Sequence, residues 1–212
     1  MPRALRTVVV SMLAWAASIF IWGGMAHAAP NILVFGDSLS AAYGIAANRG
    51  WVTLLVDRLK RERLDYSVVN ASISGETTAG GLARLGRMLE THRPAVVLLE
   101  LGANDGLRGL PVAAMKKNLG AMILMGQKAG AKVLLVGMRL PPNYGPQYTN
   151  AFDGAFAEVA KAHKAGLVPF LFEGFGDRRE LFLEDRIHPN EQAQPLLLEN
   201  VWKGLRPLLG KR

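Results

Sequence analysis

Apolar positions along the chain fall into two alternating kinds of segment. Five short runs, at residues 32–35, 67–69, 96–101, 133–136 and 168–172, are mostly apolar, and three of them are nearly continuous in Val, Ile and Leu. Strands covered on both faces of a parallel sheet have this pattern. Between them, apolar residues recur at helical spacing. Residues 51–64 carry Val52, Leu55, Val56 and Leu59 on one side, residues 78–92 carry Leu82, Leu85 and Leu89, and residues 112–129 carry Met115, Leu119, Met122 and Ile123. Residues 152–164 and 191–208 predict two further helices. Strands alternating with helices imply right-handed βαβ units and a three-layer α/β/α sandwich. Ligands of such folds bind beyond the carboxyl ends of the strands.

The first 28 residues stand outside that pattern. Arg3 and Arg6 precede an uncharged apolar stretch from Val8 to Trp22, and Ala26-His27-Ala28 is a small-x-small cleavage signal. This is the arrangement of a secretory signal peptide. The stretch falls short of the roughly 20 residues a spanning helix needs. The expectation is a leader over 1–28, one domain over 29–212, and a periplasmic or secreted product. The length suits one core.

Composition narrows the chemistry. Cysteine is absent, which excludes disulfides, thiolate catalysis and Cys-based zinc sites. The formal charge of +8 becomes +6 without Arg3 and Arg6. The basic residues are dispersed as Arg58, Lys60, Arg61 and Arg63, then Arg84 and Arg87, then Lys116 and Lys117. They read as solvated helix faces with weak attraction to an anionic lipid surface. No basic stripe interleaved with aromatics suggests nucleic acid.

Chemistry-bearing residues gather where the fold rule says to look. Gly36-Asp37-Ser38-Leu39-Ser40 follows the first run, Asn70 to Thr77 the second, and Gly102-Ala103-Asn104-Asp105-Gly106 the third. Asp185-Arg186-Ile187-His188-Pro189-Asn190 enters the last helix. Each segment alone is an ordinary turn or cap. Together they contain what acyl transfer needs: a nucleophile, a base, a group to orient the base, and oxyanion donors. Ser38, at a strand-to-helix turn, can expose its hydroxyl. Of the histidines after residue 28, His92 and His163 read as solvent-facing near helix ends, which leaves His188. Asp185, three residues earlier, can reach His188 Nδ1 through one tight turn. Asn104 offers a side-chain NH2, set in what reads as a glycine-rich turn, and Gly75 a backbone N–H with no Cβ in the way.

These four segments resemble blocks I, II, III and V of the SGNH (GDSL) hydrolases. Ser38, Gly75, Asn104 and His188 match the four name-giving residues, and Asp185 the third triad member. Further likeness at residues 69–75, 81–85, 104–109, 139–141, 143–145 and 187–190 is to the thioesterase I/protease I/lysophospholipase L1 and arylesterase subfamily. Glu76 stands where Asp is frequent, and residues 173–184 show no clear match. The resemblance implies a flavodoxin-like, five-stranded parallel sheet of order 2-1-3-4-5. It implies ester or thioester hydrolysis without metal or cofactor. It also implies three oxyanion donors: the Ser38 and Gly75 backbone N–H groups and the Asn104 side chain.

Leu107, Leu110, Met138, Leu140 and Pro141, in loops after the third and fourth strands, are candidates to line an acyl groove. An exported enzyme rarely meets acyl-CoA, so lysophospholipids or other lipid esters are the expected substrates of a monomer that touches membranes transiently. Deacetylation of cell-wall glycans is an alternative, disfavoured by the lack of an aromatic cluster beside the motifs. A non-catalytic lipid-binding protein is another, disfavoured because Ser38, Asp185 and His188 are all present. The same residues also permit acyl transfer to an alcohol.

Overall fold

A computed structural model describes residues 29–210; the leader expected over 1–28 lies outside the described residues. Five strands, β1 (Asn31–Gly36), β2 (Ser67–Asn70), β3 (Val96–Glu100), β4 (Lys132–Val136) and β5 (Gly166–Val168), form one parallel sheet in the order β2-β1-β3-β4-β5. The helices are α1 (Trp51–Arg61), α2 (Thr78–His92), α3 (Ala103–Leu107), α4 (Val112–Lys128), α5 (Pro146–Ala162) and α6 (Gln194–Leu205). α1 and α6 pack together on one face of the sheet, and α2, α4 and α5 cover the other. This is the expected sandwich. β1, β3 and β4 lie in the middle, and their apolar side chains are almost wholly buried. Each large side chain so buried contributes about 1.5–3 kcal/mol. β2, at the edge, is half exposed.

Four predicted elements differ from those observed. The fifth strand ends at Val168, because Pro169 has no N–H for the ladder. The following phenylalanines instead build a cluster in which Phe172 packs against Phe170, Phe175 and Phe182. The helix expected from residue 152 begins at Pro146, directly after Gly145 in a positive-φ conformation; proline suits a first helical position. Asn104 sits in the short helix α3, not in a plain turn. Ser38 stands at a strand-to-turn junction, not a strand-to-helix turn: a run of turns separates it from α1, which starts at Trp51 as expected.

Two basic residues do more than solvate a helix face. Arg58 stacks on Trp202 and pairs with Glu62 and Glu199. Arg84 stacks on Phe35 and pairs with Glu76 at 2.6 Å, so the longer Glu76 side chain has a partner of its own. His163 is half-buried against α4, where a Cβ at Gly120 would lie 2.5 Å from its Nε2. A helix glycine lets that ring lie close, which is why His163 does not face solvent as expected.

Candidate active site

The strand ends deliver the chemistry-bearing residues to one edge of the sheet. β1 ends at Gly36, and the chain turns at once: the Ala41 N–H donates to the Asp37 carbonyl and Tyr43 N–H to that of Ser38. The Asp37 carboxylate accepts the Leu39 N–H at 3.0 Å and closes the turn from inside. Ser38 is left partly exposed between buried Asp37 and Leu39.

His188 reaches Ser38 from the far end of the chain. Its Nε2 lies 3.0 Å from Ser38 Oγ, and its Nδ1 lies 2.7 Å from Asp185 Oδ2. With Nδ1–H donated to the carboxylate, Nε2 is left to accept the Ser38 proton. The loop is locally closed. Asp185 Oδ1 accepts the N–H groups of Ile187 and His188 at 2.9 and 3.0 Å. The Leu183 N–H donates to the His188 carbonyl at 2.8 Å, and Phe182 bridges to Pro189. Burial pushes the Asp185 carboxyl up, but those N–H groups and the His188 ring outweigh it and hold it below the ordinary value. A hydroxyl hydrogen-bonded to an imidazole whose other nitrogen faces a carboxylate can lose its proton while attacking a carbonyl.

A second set of contacts surrounds Gly75 and Asn104, the two residues expected to supply oxyanion donors beside Ser38. Gly75 has φ +79°, a conformation that favours glycine, and Arg108 donates to its carbonyl at 3.0 Å. Asn104 donates its NH2 to Asp37 Oδ2 at 3.0 Å. Asp105, almost wholly buried, accepts the Thr78 N–H at 2.8 Å and its hydroxyl at 2.5 Å. A carboxylate at the start of α2 also suits the helix dipole. This joint ties the loop carrying Gly75 to the helix carrying Asn104.

Comparison with known proteins places the chain in a family. A model of the GDSL-like Lipase/Acylhydrolase family matches residues 34–195. The chain belongs to that family. Esterase TesA of Pseudomonas aeruginosa is 54% identical over 182 residues, covering 86% of this chain and 90% of the relative. Thioesterase 1/protease 1/lysophospholipase L1 of Escherichia coli K12 is 42% identical over 184 residues, 87% of each. The crystal structure of TesA superposes with a TM-score of 0.83, at 54% identity, over 84% of this chain and 99% of that one. This member of the GDSL-like family is a hydrolase of acyl esters or thioesters.

Of the five residues expected to line an acyl groove in this hydrolase, three offer surface: Leu107, Leu110 and Pro141. Met138 and Leu140 turn into the core. Leu140 packs so close to α3 that a Cβ at Gly106 would lie 2.8 Å from it. The Tyr144 and Tyr148 hydroxyls donate to the Leu107 and Leu110 carbonyls at 3.0 and 2.7 Å, pinning that loop.

Sequence reasoning overlooked three groups around the site. The Tyr43 ring lies on His188, centroids 4.4 Å apart. The Trp51 indole N–H donates to the Leu39 carbonyl, its backbone N–H to Gln194, and Gln194 in turn to Pro189. This relay joins the neighbours of Ser38 and His188. Third, Asp37 and Glu100 are both buried beneath the Ser38 turn. Only Asp37 gave a signal, as part of the Gly-Asp-Ser turn. An aromatic cluster does lie beside the His188 loop, but its Phe172 and Phe175 are buried, so those two pack the core. Among the described residues, no three His, Asp or Glu gather as a metal site.

Proposed function

We propose that this hydrolase works through Ser38 as nucleophile, His188 as its base and Asp185 as the group that orients His188. The observation that carries the reading is the continuous contact Ser38 Oγ–His188 Nε2 at 3.0 Å and His188 Nδ1–Asp185 Oδ2 at 2.7 Å. Ser38 attacks the acyl carbonyl as His188 takes its proton. His188 returns that proton to the departing alcohol or thiol, and water clears the acyl-enzyme by the same steps in reverse. The Ser38 and Gly75 backbone N–H groups and the Asn104 side chain receive the charge on the carbonyl oxygen.

The substrates are lipid esters, lysophospholipids foremost, met outside the cytoplasm after removal of residues 1–28. The Arg3 to Ala28 pattern supports export, and the exposed Leu110 and Pro141 beside α3 support an apolar acyl group. Intact-mass analysis after a fluorophosphonate probe tests the nucleophile: a single adduct mapped to Ser38 is expected, and an adduct elsewhere or none refutes it. A panel of p-nitrophenyl esters, lysophospholipid and acyl-CoA ranks the substrates. A mature N-terminus at Ala29 is expected of the exported protein; an intact leader in the membrane fraction contradicts export with cleavage.

A further inference from the structure

Asp37 and Glu100 are two acids that the proposed chemistry leaves unused. Gly36 pairs in register with Glu100 across β1 and β3, which brings the Glu100 side chain under the turn. A Cβ at Gly36 would lie 2.6 Å from Glu100 Oε2, so glycine makes the room. That oxygen is hydrogen-bonded to Ser40 Oγ at 2.7 Å and to the Asp37 N–H at 3.3 Å. Asp37 is 0% exposed and Glu100 1%. Among the described residues, neither carboxyl makes an ion pair with Lys or Arg. Two buried carboxylates without a cation cannot both ionise cheaply. Asp37 has the better claim to the charge: it accepts the Leu39 N–H on one oxygen and the Asn104 NH2 on the other.

We propose that Asp37 is a positioning residue for the oxyanion site: as a carboxylate it can only accept, so it holds the NH2 end of Asn104 and leaves the second N–H for the substrate. Glu100 is the neutral member of the pair. The inference rests on the reading of Asn104 as an oxyanion donor. A neutral Asp37 could donate to the Asn104 carbonyl instead, which turns the amide round. The lock is therefore pH-dependent. Burial raises Asp37 to about 6, against the pull of Leu39, Asn104 and His188. Burial and the Asp37 charge hold Glu100 well above the usual carboxylate range. The groups facing Asp37 are Glu100 from β3, Asp105 from α3 and His188 from the loop before α6. Arg84 of α2 is engaged with Phe35 and Glu76. Above about pH 6 the carboxylate forms and the amide is fixed; below it the lock opens.

The test is kcat against pH on a soluble p-nitrophenyl ester, with folding checked by circular dichroism. Asp37→Asn is expected to lower kcat about tenfold above about pH 6, as a charge-assisted contact becomes a neutral one with no preferred orientation. Its KM should hardly move, and that gap should close below about pH 6, where Asp37 of the wild type is itself neutral. Asp37→Asn with Asn104→Ala should be no worse than Asn104→Ala alone. Glu100→Gln, a neutral isostere of protonated Glu100, should keep the wild-type step of about tenfold near pH 6. Wild-type kcat in Asp37→Asn, a gap that stays constant with pH, additive losses in the double variant, or loss of the step in Glu100→Gln would each overturn the positioning role. If Asp37→Asn does not fold, a wild-type profile without that step overturns it as well. Full activity in Asn104→Ala would sink the oxyanion reading itself, which separates the two failures.

Discussion

The turn carrying Ser38 and the loop carrying His188 meet at a 3.0 Å contact, yet they are built differently. The Ser38 turn is held from below. Asp37, Ser40 and Glu100 are buried, Trp51 donates into the turn, and Gly36 is sized to the acid beneath it. The His188 loop is held from within. Asp185, Arg186 and Ile187 are exposed, and the loop closes on its own backbone through Asp185 and the Phe182–Pro189 bridge. One half draws its precision from core packing, the other from short-range hydrogen bonds over a phenylalanine cluster. Changes on the Ser38 side should therefore alter stability together with activity. Changes in the exposed turn should alter activity and leave the core alone.

The largest effect tests whether the halves act as one unit. Ser38→Ala and His188→Ala should each remove turnover by about 10⁶, with the double variant little worse. Additive losses would break the pairing. Next comes Asp185→Ala, which removes the ring's orienting partner and two backbone contacts. A kcat loss of about 10⁴ is expected, with a melting temperature close to wild type. A large fall in melting temperature would show that this loop is part of the core after all.

Asn104→Ala should lower kcat by about 10²–10³ with little change in KM, because a fixed donor helps the oxyanion more than the ground-state carbonyl. Asn104→Asp should do no better, since it turns a charge toward both the oxyanion and Asp37. A folded Asn104→Asp variant with near-wild-type kcat would leave only the backbone donors. On the stability side, Gly36→Ala should cost about 1–3 kcal/mol, since the new methyl meets Glu100 and Ser40 at under 3 Å. Thermal unfolding measures it, and an unchanged midpoint would mean that Glu100 moves freely.

The smallest effect is a pH dependence. The Glu100 carboxyl is raised in the folded state. Its contribution to stability is thus full below the ordinary value of 4.5 and is lost as pH rises toward the folded one. Glu100→Gln removes that loss. The variant should gain on the order of 1 kcal/mol over wild type at pH 8, and the gap should narrow at pH 5. A constant gap would mean that Glu100 ionises normally. Asp185, held low, has the opposite sign: its contribution is present above the ordinary value of 3.8 and fades as pH falls below it.

Legibility in the sequence followed the range of the forces. The helix at 78–92 was readable to the residue, because Thr77 caps it and its apolar face is regular. The central strands were readable because both faces are buried. The fifth strand and the start of α5 were not, since Pro169 and Pro146 act through local rules that a hydrophobic pattern does not display. Asp185 and His188 could be paired from spacing, as three residues make one turn. Glu100 could not be paired with Asp37: it stands at the end of an apolar run, and its partner is 63 residues away.

The amino-acid order by itself determined the layers of the fold and pointed to Ser38, Asp185 and His188, which meet at the strand ends. Periodicity dictates which faces must be buried, and only a few side chains can serve as nucleophile, base or donor. Tertiary structure alone decided which groups stand behind them. The Glu100 acid beneath the Ser38 turn, the Trp51–Gln194 relay, the Tyr43 ring on His188 and the burial of Met138 and Leu140 all depend on contacts between segments remote in sequence. Such contacts leave no periodic trace, because each is made once, where the sheet happens to bring two strands or loops together.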